Sequence, residues 1–279
     1  MSKILDGRKL SKKVLANVKK EIQDRKLKLR LAVVFVGDNK VSRVYLRKKQ
    51  EACEKAGIDF KVFGFPGNIA GSELRQEIEK IVCEPDNSGI VIQLPLPFNY
   101  LITQPLLNLV PAEKDPDCLS QESFEKFKSR NNWILPPVVA AIRKFFEEYK
   151  ITAKGKNAAV VGQGRLVGLP ASIWLKRQGA KVVVCDKETK NIAAKIKKAD
   201  IVVSGAGSPR LIKSSMVKKG AVVVDCGTSV EKEKTVGDVD FKSVFKKAGY
   251  LSPVPGGVGP LAIACLLENL LKLNPNFNP

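Results

Sequence analysis

Five residues in the first half of the chain combine chemistry-bearing types with suggestive spacing. Ser42, Tyr45 and Lys49 stand at i, i+3 and i+7, so on a helix they share one face. They follow the apolar run Leu31–Val36, and open α/β sheets take their ligands beyond the carboxyl ends of such strands. A lysine and a tyrosine there are candidates for proton transfer. Arg47 and Lys48 are their neighbours, and a solvated helix face is the competing reading. Gln93 lies at the end of the apolar run Gly89–Leu94 and is expected to point into a cleft. Asp117 follows the Lys114–Pro116 turn and can reach the same space. A buried amide or carboxylate must find partners, so structural capping competes with function at both.

A second group lies further on. Ala158–Val161 reads as a short buried strand, Gly162, Gly164 and Gly168 follow in a sharp turn, and Leu166–Lys176 resumes a helical pattern. Strand, glycine turn and helix N-terminus form a phosphate cradle, because glycines admit a pyrophosphate and the helix offers free N–H groups. The spacing G-x-G-x-x-x-G is one residue longer than the usual dinucleotide fingerprint, and plain tight turns also produce it. Context strengthens it: Lys181–Cys185 is a second strand ending in Asp186, where an acidic residue grips a ribose diol.

Composition narrows the chemistry. None of the 279 residues is histidine, which excludes a Ser-His-Asp triad, a Cys-His pair and imidazole metal sites. Proton transfer is left to Lys, Tyr, Asp, Glu, Cys or water. The six cysteines are scattered without a C-x-x-C pair, so neither zinc nor a disulfide framework is suggested, and small buried hydrophobes in a reducing compartment are expected. No metal is expected. The Met1 end lacks an apolar signal-peptide core, and no run reaches the roughly 18 apolar residues of a membrane span. The expected location is the cytoplasm, with no membrane partner. The net charge of +20 raises nucleic acid as a partner. However, the lysines are spread along helices and no basic segment is interleaved with aromatics, so a solvated surface whose field favours anionic ligands is expected instead.

The elements that position these residues alternate. Helices are expected over Lys9–Lys26, Val41–Ala56 and Ser72–Val82, between strands Leu31–Val36, Phe60–Phe65 and Gly89–Leu94. That order argues a parallel sheet with covered faces. Loop with a short helix at Leu101–Leu107 follows, then a polar stretch Ser120–Asn132 read as a linker. Pro136-Pro137 opens a helix through Tyr149, strands Ile201–Ser204 and Ala221–Val224 extend a second sheet, and Leu261–Leu271 is a closing helix before a frayed tail, Asn274–Pro279. The fold class is α/β: two lobes with parallel sheets, the second a Rossmann-like dinucleotide-binding domain, and a ligand cleft between them. The expected domains are residues 1–135, with the closing helix 260–273 packing back on it, and residues 136–279.

A Tyr-Lys pair near a nicotinamide also suggests a short-chain dehydrogenase, but there the pair follows the cofactor turn and here it precedes it. The order and wording of VGDNKVSRVYLRKKQEACEKAG, GIVIQLPLP, EKDPD, VVGQGRLVGLP, GDVDF and PVPGGVGP closely resemble the bifunctional methylenetetrahydrofolate dehydrogenase/methenyltetrahydrofolate cyclohydrolase family, from about Ile4 to Leu271. The resemblance implies oxidation of 5,10-methylenetetrahydrofolate with NAD or NADP, then hydrolysis of the methenyl product to 10-formyltetrahydrofolate. It makes Lys49 the catalytic lysine, with Gln93 orienting it, Tyr45 stacking on or bonding the folate and Asp117 accepting hydrogen bonds from the pterin. Ser42, Pro255, Gly256 and Gly257 join the substrate contacts. Gly162, Gln163, Gly164, Arg165, Leu166, Val167 and Gly168 hold the cofactor together with Asp186, Lys187 and Gly227. Folate's anionic glutamate tail gives the basic surface a use. The family also implies a homodimer paired through the cofactor lobe, with tetrahydrofolate one-carbon derivatives as small-molecule partners.

Several positions depart from the family pattern. Cys118 stands where family members usually carry glycine, Pro136-Pro137-Val138-Val139 replaces Pro-Cys-Thr-Pro, and Ala262 replaces a threonine. These changes bear on substrate packing and leave Lys49, Gln93 and Asp117 intact. Bacterial relatives mostly prefer NADP. Here Asp186 stands where the family often has histidine, and a carboxylate repels a 2′-phosphate, while Lys187 and Arg165 are cations able to pair with one. NAD is favoured on balance. The competing functions are a dehydrogenase without the hydrolase step and a catalytically impaired homologue that binds polyanions.

Overall fold

The structure, a computed structural model, describes residues 2–129, 133–231 and 234–277. Chain order begins β1 (Lys3–Ile4), α1 (Gly7–Asp24), β2 (Arg30–Val36), α2 (Lys40–Ala56), β3 (Asp59–Phe65), α3 (Gly71–Cys83), β4 (Gly89–Ile92), α4 (Tyr100–Leu107) and α5 (Gln121–Lys128). It continues α6 (Pro137–Glu148), β5 (Asn157–Val161), α7 (Gly168–Arg177), β6 (Lys181–Cys185), α8 (Ile192–Lys197), β7 (Ile201–Ser204) and β8 (Val222–Asp225). The last elements are β9 (Ser229–Glu231), β10 (Lys234–Val236), α9 (Phe241–Phe245), β11 (Tyr250–Leu251) and α10 (Val258–Leu273). Two compact units result: Met1–Ser11 with Val138–Ala262, and Lys12–Pro137 with Ile263–Pro279. The expected boundary, which kept residues 1–135 together, misses the opening segment, because β1 pairs in parallel with β11.

In the unit containing Lys12–Pro137, the sheet order is β3-β2-β4 and both pairings are parallel. Leu31–Val36 of β2 and all of β4 are buried, as strands covered on both faces must be. Alternate residues Ala32, Val34, Ile90 and Ile92 pack against Leu74 and Ile78 of α3 and Leu106 and Leu107 of α4. Asn39 starts α2, its side-chain oxygen accepting from the Ser42 N–H at 3.0 Å. That bond satisfies an orphan donor of the first turn.

In the other unit, six strands run β1-β11-β8-β7-β5-β6, every pairing parallel. The chain leaves β5 toward β6 on one side and returns to β7 on the other. The loops after β5 and β7 therefore flank a topological switch point, where open α/β sheets bind ligands. Ala159, Val161, Val202 and Val223 form the core with Ile196, Ile212 and Val244. An antiparallel hairpin, β9 with β10, lies outside this sheet.

The structure differs from sequence expectation in places. The stretch Ser120–Asn132, read as a linker, contains α5; its last three residues lie outside the described set. Ser120 caps α5 by accepting from the Ser123 N–H, and Phe127 is buried. The helix expected from Leu166 starts at Gly168. The strand expected to reach Leu94 ends at Ile92, although the Gln93 N–H still donates to the Val34 carbonyl at 2.9 Å. Of the tail expected at Asn274–Pro279, Asn278 and Pro279 lie outside the described residues. No helix among the described residues is long and apolar enough to cross a membrane.

Candidate functional site

Lys49 lies on α2 and its side chain is 6% exposed. Its Nζ donates to Gln93 Oε1 at 2.9 Å. The Gln93 amide in turn donates Nε2–H to the Leu94 carbonyl at 2.9 Å, and Ser42 Oγ donates to that same carbonyl at 3.4 Å. The spacing of Ser42 and Lys49 on one face thus becomes a contact with one segment, Gln93–Leu94, where β4 leaves the sheet. Tyr45 is half-buried on the same helix, with the Lys48 ammonium 5.7 Å from its ring centre. The solvated-face reading fits Arg47 and Lys48, which are exposed, and fails for Lys49 and Ser42, which are buried.

Charge at this cluster is set by burial. Desolvation pushes the Lys49 amine below its ordinary value, against the pull of Asp117 and Cys53. Asp117 moves the opposite way, raised by desolvation against the attraction of Lys49, with Asp115 adding a push. Each shift favours the neutral form. The Cys53 thiol, one turn beyond Lys49, is pushed up to about 12 by burial and stays protonated at neutral pH.

Asp117 is held by a turn built from buried polar groups. The Asp115 carboxylate accepts from the Ser120 N–H at 2.7 Å, and burial raises its pKa against that bond. Asn269 of α10, 2% exposed, donates Nδ2–H to the Pro116 carbonyl at 3.0 Å and to the Leu135 carbonyl at 2.8 Å. At Gly89 an added Cβ would lie 2.4 Å from Leu270 and 3.3 Å from Pro116. Cys118, at the position usually glycine in the family, has φ 58° and is 1% exposed. That left-handed backbone is the physical reason glycine suits the position.

The second cluster lies in the unit of the six-stranded sheet. Gly162 turns at φ 95°, and a Cβ there would meet the Gly205 carbonyl oxygen at 2.6 Å. A Cβ at Gly168 would lie 1.9 Å from the Gly162 carbonyl oxygen. A Cβ at Gly164, by contrast, would meet nothing within 4 Å. Two glycines close the turn and the third faces open space. Val167, at the start of α7, gives the first turn no side-chain cap, so the helix N-terminus suits an anionic ligand. Leu166 is exposed, Val167 packs beside Gly205, and Arg165 is half-buried. Asp186 follows β6; its Oδ2 accepts from Gln163 Nε2 at 2.9 Å and its Oδ1 from Thr189 Oγ1 at 2.7 Å. The Thr189 hydroxyl and nearby backbone N–H groups hold its pKa below the usual carboxylate range. Lys187 is exposed.

Sequence reasoning missed a buried carboxylate pair here. Asp238, fully buried, accepts from Ser204 Oγ and the Ala206 N–H at 2.7 Å and from the Ser208 N–H at 2.8 Å, fixing the loop after β7. Asp225 accepts from the N–H groups of Gly227, Asp238 and Val239. Burial, with Asp238 nearby, pushes Asp225 up to about 7. Gly227 is required because a Cβ there would lie 2.2 Å from the Asp238 carboxyl carbon. The available signals were Asp225 closing the apolar run Val222–Val224 and the acid in GDVDF. Pro255 is exposed in this same unit; Gly256 has φ 113°, and its carbonyl accepts from the Arg8 N–H at 3.1 Å. The Gly257 N–H donates to the Pro253 carbonyl at 2.7 Å. Among the described residues no group of three or more Cys, Asp or Glu is arranged to hold a metal ion.

Comparison with known proteins matches both halves in order. The family model of the tetrahydrofolate dehydrogenase/cyclohydrolase catalytic domain covers residues 5–117, and that of the tetrahydrofolate dehydrogenase/cyclohydrolase NAD(P)-binding domain covers residues 136–277. The chain is 43% identical over 278 residues to the bifunctional protein FolD of Nautilia profundicola, with 98% of each chain covered. Its structure is similar to the crystal structure of the bifunctional enzyme FolD from Campylobacter jejuni, at 36% identity, TM-score 0.93 and 99% of each chain covered. The methylenetetrahydrofolate dehydrogenase-cyclohydrolase of Trypanosoma brucei, solved with NADP and an inhibitor, aligns at 31% identity and TM-score 0.91 over 98% of this chain and 97% of that one. The chain belongs to the tetrahydrofolate dehydrogenase/cyclohydrolase family.

Proposed function

We propose that this chain oxidises 5,10-methylenetetrahydrofolate with a nicotinamide cofactor and hydrolyses the methenyl product to 10-formyltetrahydrofolate. The observation that carries the reading is the buried Lys49 amine bonded to Gln93, in a chain whose two halves match the two domains of the family.

The first step needs alignment more than acid–base help. Loss of hydride leaves a cation that the two folate nitrogens stabilise, so the protein's main contribution is positioning. Asp117 fixes the pterin by accepting hydrogen bonds, and Tyr45 offers a ring and a hydroxyl to the folate. The cradle fits a dinucleotide. Its closed turn at Gly162 and Gly168, the open approach at Gly164 and the uncapped α7 N-terminus suit a pyrophosphate. Bound there, the nicotinamide supplies the hydride acceptor.

The second step adds water to the methenyl carbon and opens a C–N bond. Lys49 takes a proton from the attacking water and returns one to the leaving nitrogen. A lysine at its ordinary pKa of about 10.4 is a poor base near neutrality, and the downward shift imposed by burial makes the amine competent. Gln93 Oε1 aims the amine. Asp186, ionised at the end of β6, favours NAD over NADP because it accepts from a ribose diol and repels a 2′-phosphate. The Trypanosoma brucei relative was solved with NADP, so this preference rests on the present chain's own Asp186. A homodimer in the cytoplasm completes the reading.

The test is a spectrophotometric assay with methylenetetrahydrofolate, run with NAD and with NADP. It is followed by comparing methenyl absorbance decay with and without protein. Cofactor reduction with accelerated decay is expected; no reduction with either cofactor would sink the enzyme reading.

A further inference from the structure

Gln163 occupies the position between Gly162 and Gly164 and is exposed. Its backbone is fixed from two sides. Gly162 turns at φ 95°, and Gly168 approaches so closely that a Cβ there would lie 3.1 Å from Gln163 Cα. The side chain leaves that fixed point and donates Nε2–H to Asp186 Oδ2 at 2.9 Å. This bond joins the loop after β5 to the loop after β6 and crosses from the pyrophosphate turn to the ribose position.

The chemistry of the pair centres on the carboxylate. Asp186 Oδ1 accepts from Thr189 Oγ1 at 2.7 Å and from the Glu188 N–H at 3.1 Å. Oδ2 accepts from Gln163 and keeps a lone pair. The Gln163 amide gives one Nε2–H to this carboxylate and keeps a second N–H and its carbonyl oxygen. The rim offered to the adenosine ribose is therefore led by the Asp186 carboxylate, held by bonds on both of its oxygens. A 2′,3′-diol has two hydroxyl donors for such a rim. A 2′-phosphate brings acceptors and negative charge at neutral pH, and the carboxylate repels it. Thr189 fixes the carboxylate from one side and Gln163 from the other, so Asp186 cannot swing away to admit the phosphate.

We propose that Gln163 is a specificity-determining residue that holds the Asp186 carboxylate at the ribose position and thereby selects NAD over NADP. The inference rests on the reading of this unit as the nicotinamide cofactor site. It adds a second determinant, on a different loop, to the carboxylate itself. The exposed cation Lys187 and the half-buried Arg165 are the opposing influences, since either would favour a phosphate.

Binding of NADH and NADPH to the full-length protein, measured by fluorescence without any folate, tests this. The wild type is expected to bind NADH more tightly. Gln163→Ala should narrow the NADH/NADPH ratio about fivefold, the scale of one exposed hydrogen bond to a charged group. Gln163→Glu places a second carboxylate at the rim and should widen the ratio, which mere loss of structure would not do. In an Asp186→Ala background, Gln163→Ala should leave the ratio within about twofold, because its effect passes through the carboxylate. A ratio unmoved by Gln163→Ala, an undiminished effect without Asp186, or a wild-type preference for NADPH would overturn the inference and leave the cofactor site standing. Failure of the wild type to bind either dinucleotide would overturn both.

Discussion

Replacing Lys49 by methionine should separate the two activities. Methionine has nearly the volume and shape of the lysine stem, so the space between α2 and the Gln93 segment stays filled. What is lost is the amine, its 2.9 Å bond to Gln93 Oε1 and its attraction for Asp117. If Lys49 moves the proton in methenyl hydrolysis, its removal costs the usual contribution of a positioned acid–base group, a factor of about 10² to 10⁴. A value near 10³ corresponds to about 4 kcal/mol of transition-state stabilisation. The loss should fall on kcat and kcat/KM alike, because the proton moves only in the transition state.

Hydride transfer has no such requirement, and its kcat should stay within about tenfold. Its KM for the folate should rise a few-fold. Without Lys49 the pKa of Asp117 climbs further, and a protonated acid holds the pterin less well. NADH formation and decay of the methenyl absorbance report the two steps separately in one cuvette. Parallel loss of both activities would show that Lys49 supports the fold of the site and not the proton transfer. Hydrolysis within tenfold of wild type would refute the acid–base role outright.

Gln93→Leu should lower the hydrolysis rate about tenfold and move the inflection of its pH–rate profile downward. Gln93 Oε1 bonds the charged amine more strongly than the neutral one, so its loss adds to the shift that burial already imposes; an unmoved inflection argues against direct coupling. At Cys118, φ 58° predicts an inverted order of variants: Cys118→Gly should be more stable than Cys118→Ala by about 1 kcal/mol, the cost of a left-handed non-glycine residue. Urea denaturation decides this, and the ordinary order, alanine above glycine, would contradict the backbone assignment. Asp225 titrates near 7 in the folded chain against about 3.9 unfolded. Its contribution to stability is complete below about pH 4 and lost as the pH rises through about 7, up to about 4 kcal/mol in all. Asp225→Asn should lack this dependence, so the stability gap between wild type and variant should narrow from pH 4 to pH 8, read from Trp174 fluorescence in the same unit. A gap independent of pH would mean the three N–H donors keep Asp225 ionised throughout.

Legibility in the sequence followed how local each determinant is. The buried strands β2, β4 and β5 were readable because a continuous apolar run needs no partner to be recognised. So was α2, whose polar and apolar positions alternate at helical spacing. Strands β1 and β11 were not, since two residues carry no periodicity and exist only through pairing across the length of the chain. Helix α5 was hidden by its polarity: Glu and Lys dominate it, and burial of Phe127 together with the Ser120 cap holds it. Asp225 and Asp238 were equally hidden in role. Each satisfies donors on loops far away in sequence, and a single acidic letter at the end of an apolar run does not say which loops those are.

Three polar residues share one structural circumstance. Gln93 follows β4, Asp186 follows β6, and Asp225 is the last residue of β8. At the carboxyl end of a buried parallel strand the ladder stops and the chain turns, so the side chain at that point is freed from the sheet's demand for apolar residues. A polar letter there is tolerated by the fold for a reason other than stability, or is paired internally. Structure separates the cases. Asp225 is saturated by three backbone N–H groups and buried, and so serves the loops. Gln93 spends its oxygen on a buried lysine that nothing in the core requires. Asp186 is left at the surface with an acceptor still open. The capping explanation therefore accounts for the first, covers only Oδ1 of Asp186, and fails for Gln93. The lysine and the half-open carboxylate are where the chain has kept polar groups that folding alone does not need.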